Sequence, residues 1–161
     1  MPSEIVTKCS KTIAAKQWNI AFAESATAGR MAAEFSMTEK SGDILRGGIV
    51  CYEIFVKEQI LNVPHSIIEK CTPESADVTK ILAQQTLKIF NSKIAVAITG
   101  LTTSGGSETE EKPVGTMFIH IITPNDKISH REVFKGSPEE IILQAIDKTA
   151  MLIIESIAKM K

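Results

Sequence analysis

The sequence predicts an α/β fold, a three-layer α/β/α sandwich with a mostly parallel sheet and one antiparallel strand from a C-terminal hairpin. Short apolar runs bounded by polar residues alternate with segments of helical periodicity, which is the pattern of such a sandwich. Pro124, Asn125 and Asp126 predict the hairpin turn between the last two apolar runs. The 161 residues are typical of one domain, and we assign residues 1–161 to it.

The first half of the chain contains two predicted strands and four helices. Ser3 can cap a helix of about 14 residues, because Ile5, Val6, Cys9 and Ile13 lie on one face at helical spacing. The later elements are a buried strand NIAFAE, a helix from about residue 27 to 38, a turn at 40–43, a strand at 48–53, and short helices at FVKEQILN and SIIEKC.

The second half contains two long helices and the remaining strands. Thr72 followed by Pro73 opens the first of these helices, since a cap residue before a proline is typical of a helix start. Ser137 and Glu140 form a capping box that begins the second. Between them lie a buried strand at 93–99, a long loop at 100–113, and hairpin strands at 114–123 and 127–135.

Composition bounds the partners and the cellular location. The net charge is −1, from 18 basic and 19 acidic residues, so we expect no nucleic-acid partner. No apolar run approaches the roughly 20 residues that span a bilayer. The N-terminus lacks a signal-peptide core, so we expect no membrane partner and a cytoplasmic location.

The residues that commonly bind metals are scattered along the chain. Cys9, Cys51 and Cys71 lie at wide spacings, which fits reduced thiols better than disulfides or a zinc site. His120 and His130 fall on the two arms of the predicted hairpin. An exposed or strand-packed role fits these histidines better than a metal site, and we predict no metal.

Three segments reach the sheet edge where ligands bind in open α/β folds, outside the carboxyl ends of the strands. They are residues 24–27, residues 51–53 with Lys57 one helical turn further on, and the loop at 100–113. The loop has about 14 residues, whereas connections in α/β units usually have about 2–6. Free amides at a helix start near Thr27 would favour an anion. The sequence therefore predicts a pocket for a small ligand.

The residues alone leave plainer interpretations open. Ser25 or Thr27 can be a helix N-cap. Lys57 can be a solvated lysine on an exposed helix face, which is the usual position of lysine. Tyr52 can be a strand-end residue with its hydroxyl in water, and Gly105-Gly106 can be a flexible turn.

Three stretches, AESATAGRMAA, LRGGIVCYEIFVKEQIL and AITGLTTSGGSETEEKPVGTMFIHI, resemble the CinA C-terminal domain family in order and spacing. The enzymatically active members of that α/β/α family are nicotinamide mononucleotide deamidases of the PncC type. The resemblance therefore implies an amidohydrolase that converts nicotinamide mononucleotide, a pyridine nucleotide, to nicotinate mononucleotide and ammonia without a cofactor. It also implies a homo-oligomer, for which Phe55 and Val56 are candidate contact residues.

The resemblance also implies a Ser/Lys mechanism. Ser25 is the implied nucleophile, Lys57 the base, and Tyr52 a residue that relays the proton or orients the lysine. Backbone amides after Ser25, or in the loop 100–106, would hold the oxyanion. The implied substrate-binding residues stand at motif positions of the family: Thr27, Gly29, Arg46, Gly100, Thr102, Gly105, Gly106 and Lys112, the last as a partner for a phosphate or carboxylate.

The chain departs from the family pattern around these residues. The family usually has AESCTGG where this chain has Ala26 and Ala28, and a polar S-N-E-A where residues 53–56 are mostly apolar. The loop at 102–104 lacks the family's proline. These departures favour an alternative, a catalytically inactive module that binds a nucleotide or a protein partner.

Overall fold

The computed structural model describes residues 1–160, which form one five-stranded sheet between two layers of helices. The strands are Ile20–Glu24 (β1), Leu45–Val50 (β2), Ile94–Gly100 (β3), Thr116–Ile122 (β4) and Lys127–Val133 (β5). The helices are Glu4–Ala15 (α1), Arg30–Ser36 (α2), Ser41–Ile44 (α3), Ile54–Gln59 (α4), His65–Cys71 (α5), Ala76–Phe90 (α6) and Pro138–Ala158 (α7). Within residues 1–160, none of the helices combines the length and the apolar character needed to cross a bilayer.

The strand order is β2-β1-β3-β4-β5. β1 pairs in parallel with β2 and β3, whereas β4 pairs antiparallel with β3 and β5. Four strands therefore run in one direction and β4, the first arm of the hairpin, runs in the other, which confirms the predicted sheet. β1 lies between β2 and β3, so the direction of winding reverses at β1. Such a reversal opens a crevice at the carboxyl end of the strand where it occurs, here β1.

Two apolar cores cover the two faces of the sheet. On one face α1, α2 and α7 pack over Phe22, whose ring centroid lies 5.2 Å from that of Phe35. On the other face Ala23 and Ala97 pack with Leu82 of α6. Successive strand residues point to opposite faces, and every residue of β1 is buried. Burial on both faces explains why β1 is a continuous apolar run with no polar alternation.

The helix after β1 begins later than the predicted residue 27. Ala28 has φ +47° and Gly29 has φ +93°, and neither value is compatible with a right-handed helix, so α2 starts at Arg30. Ala28 is an alanine in a left-handed conformation, where the family motif has glycine. β2 is also shifted, because it starts at Leu45 and ends at Val50, three residues before the predicted end.

The start of α6 differs from the prediction by three residues. Its N-cap is Ser75, whose side chain accepts a hydrogen bond from the Val78 amide, and not Thr72. Thr72 has φ +70° and accepts a bond from a lysine of the long loop instead. The capping box at Ser137 and Glu140 is confirmed and begins α7. The predicted turn at 40–43 overlaps the single-turn helix α3, which ends at Ile44.

His120 on β4 is a buried polar group that should destabilise the fold in acid. Its side chain is buried, and neither ring nitrogen has a hydrogen-bond partner within the described residues. Burial, with smaller effects from Lys80 and Lys127, lowers the pKa of His120. The unfolded chain therefore binds a proton that the folded chain does not, and this contribution to stability is lost as the pH falls below about 6.5.

We expect His120→Leu to unfold at an equal or higher urea concentration than the parent at pH 7, with a gain of up to about 2 kcal/mol. The loss of stability between pH 7 and pH 5 should also be smaller. His65→Gln is the control, because a hydrogen bond to Glu58 raises the pKa of His65, so its removal should not reduce the acid loss. An unchanged acid loss in His120→Leu would show that His120 is not responsible.

Candidate active site

Ser25 stands at the corner where β1 ends, between the ends of β2 and β3. Its amide donates to the Ile98 carbonyl at 3.0 Å, and the Cys51 amide donates to the Glu24 carbonyl at 2.9 Å. These two bonds continue the parallel pairing of β1 beyond its last residue. They fix the backbone of Ser25 and Cys51 side by side at the carboxyl edge of the sheet, where the sequence predicts the pocket.

Lys57 reaches this corner from α4. It is the buried residue of that short helix, and only 1% of its surface is exposed. Its Nζ lies 3.0 Å from Ser25 Oγ, 2.6 Å from the Cys51 carbonyl oxygen and 3.2 Å from the Tyr52 carbonyl oxygen. A neutral amine has two N–H groups and one lone pair. Two carbonyl acceptors and one hydroxyl donor would satisfy all three positions.

The surroundings of Lys57 favour that neutral form. Burial lowers the pKa of Lys57, while the nearby Cys51 and Glu74 raise it by a smaller amount. Burial also raises the pKa of the Cys51 thiol to about 11, so this neighbour is a protonated thiol at neutral pH and does not compete as a nucleophile. The arrangement supplies a serine hydroxyl in contact with an amine that loses its proton more readily than a solvated lysine.

The structure decides against two of the plainer interpretations. The N-cap of α2 is Gly29, which makes no side-chain cap bond, so neither Ser25 nor Thr27 is the cap. Lys57 is buried and in contact with Ser25, so it is not a solvated surface lysine.

Glu24 is the anion at the start of α2. Its carboxylate is 2% exposed and accepts from Thr27 Oγ1 at 2.5 Å and from three amides. The amide donors are Gly29 at 3.2 Å, Met31 at 2.9 Å and Ala32 at 2.8 Å. The predicted anion site is therefore filled by the chain itself. Thr27 and Gly29 act on the site through this carboxylate.

Most of the backbone amides that could act as oxyanion donors already bind carboxylates of the chain. The first amides of α2 are occupied, and Gly105 and Gly106 donate to the Glu108 carboxylate at 2.7 and 2.8 Å. Within residues 1–160, the amides of Ala26 and Thr27 make no hydrogen bond to a protein acceptor. They follow Ser25, the predicted nucleophile, and the amide after a nucleophile is a common oxyanion donor.

Glu24→Gln should lower both stability and activity. Glutamine keeps the size of the side chain but loses the charge and the acceptor capacity of one atom, so buried amide donors lose their partner. We expect a loss of about 2–3 kcal/mol in the free energy of unfolding by urea and a fall in kcat. Glu34→Gln is the matched control, because Glu34 is also buried on α2 but bonds a partly exposed Arg30. Equal losses in both variants would contradict this role for Glu24.

A cavity of about 150 Å³ lies over Ser25. The predicted residues that line it are Ser25, Tyr52, Gly100, Thr102 and Gly106. This volume is below the roughly 300–1,000 Å³ of pockets that enclose a drug-sized ligand. It fits an amide and part of the ring that carries it, and it leaves the rest of a nucleotide outside.

Tyr52 contacts Lys57 through its backbone carbonyl and not through its phenol hydroxyl. Its carbonyl accepts from Lys57, while the side chain is 67% exposed at the cavity wall. Within the described chain the phenol oxygen has no hydrogen bond to Ser25 or Lys57. The serine and the lysine are in direct contact, so this geometry needs no phenol between them. The relay role of the Tyr52 hydroxyl stays a prediction.

Three other predicted binding residues do not line the cavity. Arg46 is exposed near the start of β2, about 13 Å along the strand from Val50, which pairs with Glu24. It therefore lies toward the opposite end of the sheet and is not part of this site. Gly105 holds Glu108 through its amide. Lys112 ties the loop to the start of α6, through Nζ bonds to Thr72 Oγ1 at 2.9 Å and to the Glu74 carbonyl at 3.2 Å.

The sequence interpretation missed Glu74 and Thr103, which also line the cavity. The sequence predicts a helix that starts at Thr72 and Pro73, whereas Glu74 lies in an irregular segment before α6. The sequence signal that could have pointed to Glu74 is a carboxylate in the segment between two predicted helices. Within residues 1–160, no group of three or more histidine, cysteine, aspartate or glutamate side chains is placed to hold a metal ion.

The comparisons with known proteins address family and fold. The family model described as the CinA C-terminal domain matches residues 3–157. A CinA-like protein from a strain of Prochlorococcus marinus is 37% identical over 141 residues, which cover 84% of this chain and 33% of that protein. One from Flavobacterium psychrophilum is 30% identical over 149 residues, covering 92% and 35%. The chain spans about a third of the length of these curated relatives.

Solved structures have the same fold. The crystal structure of a competence-damaged protein (CinA) superfamily protein from Klebsiella pneumoniae 700603 has a TM-score of 0.90, with 23% identity and coverage of 96% of each chain. That of the competence/damage inducible protein CihA from Agrobacterium tumefaciens has a TM-score of 0.89, with 21% identity and 99% coverage of each chain. At these identities the likeness concerns the fold.

Proposed function

The chain belongs to the CinA C-terminal domain family, and from that membership we propose that it is an amidohydrolase that deamidates nicotinamide mononucleotide to nicotinate mononucleotide and ammonia. The observation that carries the proposal is the buried contact of 3.0 Å between Lys57 Nζ and Ser25 Oγ. A serine hydroxyl is a poor nucleophile until a base takes its proton, and a lysine with a lowered pKa can be that base.

The first half of the reaction forms an ester. Lys57 takes the proton of Ser25 as Oγ attacks the carboxamide carbon, and the carbonyl oxygen becomes an oxyanion. The amides of Ala26 and Thr27, which follow Ser25 in the chain and have no protein acceptor within residues 1–160, would stabilise that charge. When the intermediate collapses, the carbon–nitrogen bond breaks, and the amine leaves as ammonia with the proton from Lys57.

The second half uses the same groups in the same order. Water attacks the ester carbon and gives a proton to Lys57, and this proton returns to Ser25 Oγ as the ester bond breaks. The products are the free enzyme and the carboxylic acid, which releases its remaining proton to solvent and becomes the carboxylate. The same base serves both halves because each begins with the removal of a proton from an oxygen nucleophile and ends with protonation of a leaving group.

Ammonia release tests the proposal. Purified protein is incubated with nicotinamide mononucleotide, and ammonia and nicotinate mononucleotide are measured together. We expect the two products in equal amounts and at a rate proportional to protein concentration. Failure to release ammonia, with the nucleotide still bound in calorimetry, would contradict the proposed activity.

That outcome would support the second candidate, an inactive module that binds a nucleotide or a protein partner. The observation in its favour is the apolar surface beside the site, where Tyr52, Ile54, Phe55 and Ile60 are between 42% and 67% exposed. Exposed apolar residues in a cluster are typical of contact surfaces. The predicted homo-oligomer, with Phe55 and Val56 in the contact, remains part of either proposal.

A further inference from the structure

We propose that Glu74 recognises a positive charge on the ring that carries the scissile amide, so that the site selects cationic over uncharged aromatic amides. This inference rests on the proposed amidohydrolase function and names the feature of the substrate that the site recognises. It concerns a residue that the sequence motifs do not assign to the site.

The position of Glu74 supports a contact with ligand. Glu74 lines the cavity together with Ser25 and Tyr52, and its side chain is 22% exposed. Oε2 accepts from Ser107 Oγ at 2.7 Å and lies 3.7 Å from Lys112 Nζ. Within the described residues no protein donor bonds Oε1. One oxygen thus fixes the carboxylate in place, and the other is free for a ligand.

The charge of the cavity lining supports a cation. Among the described residues that line the cavity, Glu74 has the only charged side chain, and the others are Ser, Thr, Tyr, Gly, Ala and Leu. The nearby cation Lys112 does not line the cavity, and its Nζ lies 3.7 Å from Oε2, the oxygen that Ser107 also holds, so Oε1 is the oxygen left for a ligand cation. A carboxylate that is partly removed from water interacts more strongly with an opposite charge than a fully solvated one does. The cavity fits the amide and part of its ring and leaves the phosphate outside, so the charge that Glu74 would meet there is the charge of the ring.

Glu74 also connects substrate binding to the base. Its negative charge raises the pKa of Lys57 and so opposes the effect of burial. A cation placed against Glu74 offsets that charge and favours loss of the Lys57 proton. Substrate binding and activation of the base are therefore expected to reinforce each other, and an uncharged ring would supply neither.

Glu74→Gln tests the inference with two matched substrates. Glutamine can still accept from Ser107, and the bond from Lys112 to the backbone of residue 74 does not depend on the side chain. The substrates are nicotinamide mononucleotide and benzamide riboside 5′-phosphate, in which carbon replaces the charged ring nitrogen. Glu110→Gln is the control, because Glu110 is an exposed carboxylate of the loop that does not line the cavity. Rates are measured on the alkaline plateau of each pH profile.

We expect Glu74→Gln to lower kcat/KM for the cationic substrate about tenfold or more and to leave that for the uncharged analogue within about twofold. The midpoint of the kcat/KM profile should move to lower pH, because the charge that raises the pKa of Lys57 is gone. Equal losses with both substrates, or no loss with either, would overturn the inference. A protein that hydrolyses neither substrate would instead contradict the proposed function.

A binding measurement distinguishes failure of the charge recognition from failure of the proposed amidohydrolase function. Calorimetry with the Ser25→Ala variant measures the Kd of both ligands without turnover, and adding Glu74→Gln should weaken only the cationic ligand, by about tenfold. The same weakening of both ligands, or no measurable binding of the cation to the Ser25→Ala variant, would overturn the charge recognition even if the parent hydrolyses amides.

Discussion

Ser25→Ala is expected to lower kcat for amide hydrolysis by at least about a thousandfold while the protein stays folded. Removal of the nucleophile leaves only the contribution of the oxyanion donors and of binding. The hydroxyl makes no helix cap, and its contact is with Lys57. The thermal midpoint should therefore remain close to that of the parent. Ser36→Ala, a change at an exposed serine of α2, is the control and should keep full activity.

Retention of more than a tenth of the parent rate in Ser25→Ala would exclude Ser25 as the nucleophile. A large fall in the thermal midpoint together with the rate would show a structural role instead.

Lys57→Met and Lys57→Arg should both be inactive but folded. Methionine keeps much of the length of the side chain and removes the amine, while arginine keeps its proton at any pH of interest. The parent rate should rise with pH and level off once the lysine is deprotonated. Because its pKa is lowered in the folded protein, that rise should occur below about 10.4. Lys70→Met, at an exposed lysine of α5, should stay within about twofold of the parent.

The same lowered pKa makes a prediction for stability. Between the folded pKa of Lys57 and about 10.4, the unfolded chain binds more protons than the folded chain. The stability of the parent relative to Lys57→Met should therefore rise with pH through that window, as measured by urea unfolding. Near-normal turnover by Lys57→Arg would show that Lys57 is not the base.

The fold was predictable from local patterns, whereas the details at the corner were not. Burial on both faces makes β1 a continuous apolar run, and the capping box at Ser137 is a local signal, so both could be predicted. The late start of α2 depends on Ala28, and an alanine gives no sign in the sequence that its φ will be positive. Thr72 and Ser75 are equally plausible N-caps of α6 in the sequence. Ser75 is the cap in the structure, where Thr72 has a positive φ.

The sequence predicted those site residues whose place follows from their position relative to the end of a strand. Ser25 and Lys57 follow strand ends, and the parallel sheet brings those ends to one edge. Arg46 was misplaced because a motif position says which residues recur together but not which end of a strand they occupy. The role of Glu24 was missed because three of its four hydrogen-bond donors are backbone amides, which give no signal in the sequence, and its one side-chain donor, Thr27, is equally typical of a helix cap. Glu74 was missed because the contact between the loop and the start of α6 joins segments that are distant in the chain.

The proposed reaction passes through an acyl-enzyme at Ser25, which rapid acid quenching of the parent with nicotinamide mononucleotide, followed by peptide mass spectrometry, should detect. We predict that the peptide containing Ser25 gains the mass of nicotinate mononucleotide less one water, at quench times within the first turnover, and that Ser25→Ala shows no such peptide. Full turnover with an unmodified Ser25 peptide at every quench time, or the same added mass on another residue, would contradict the account.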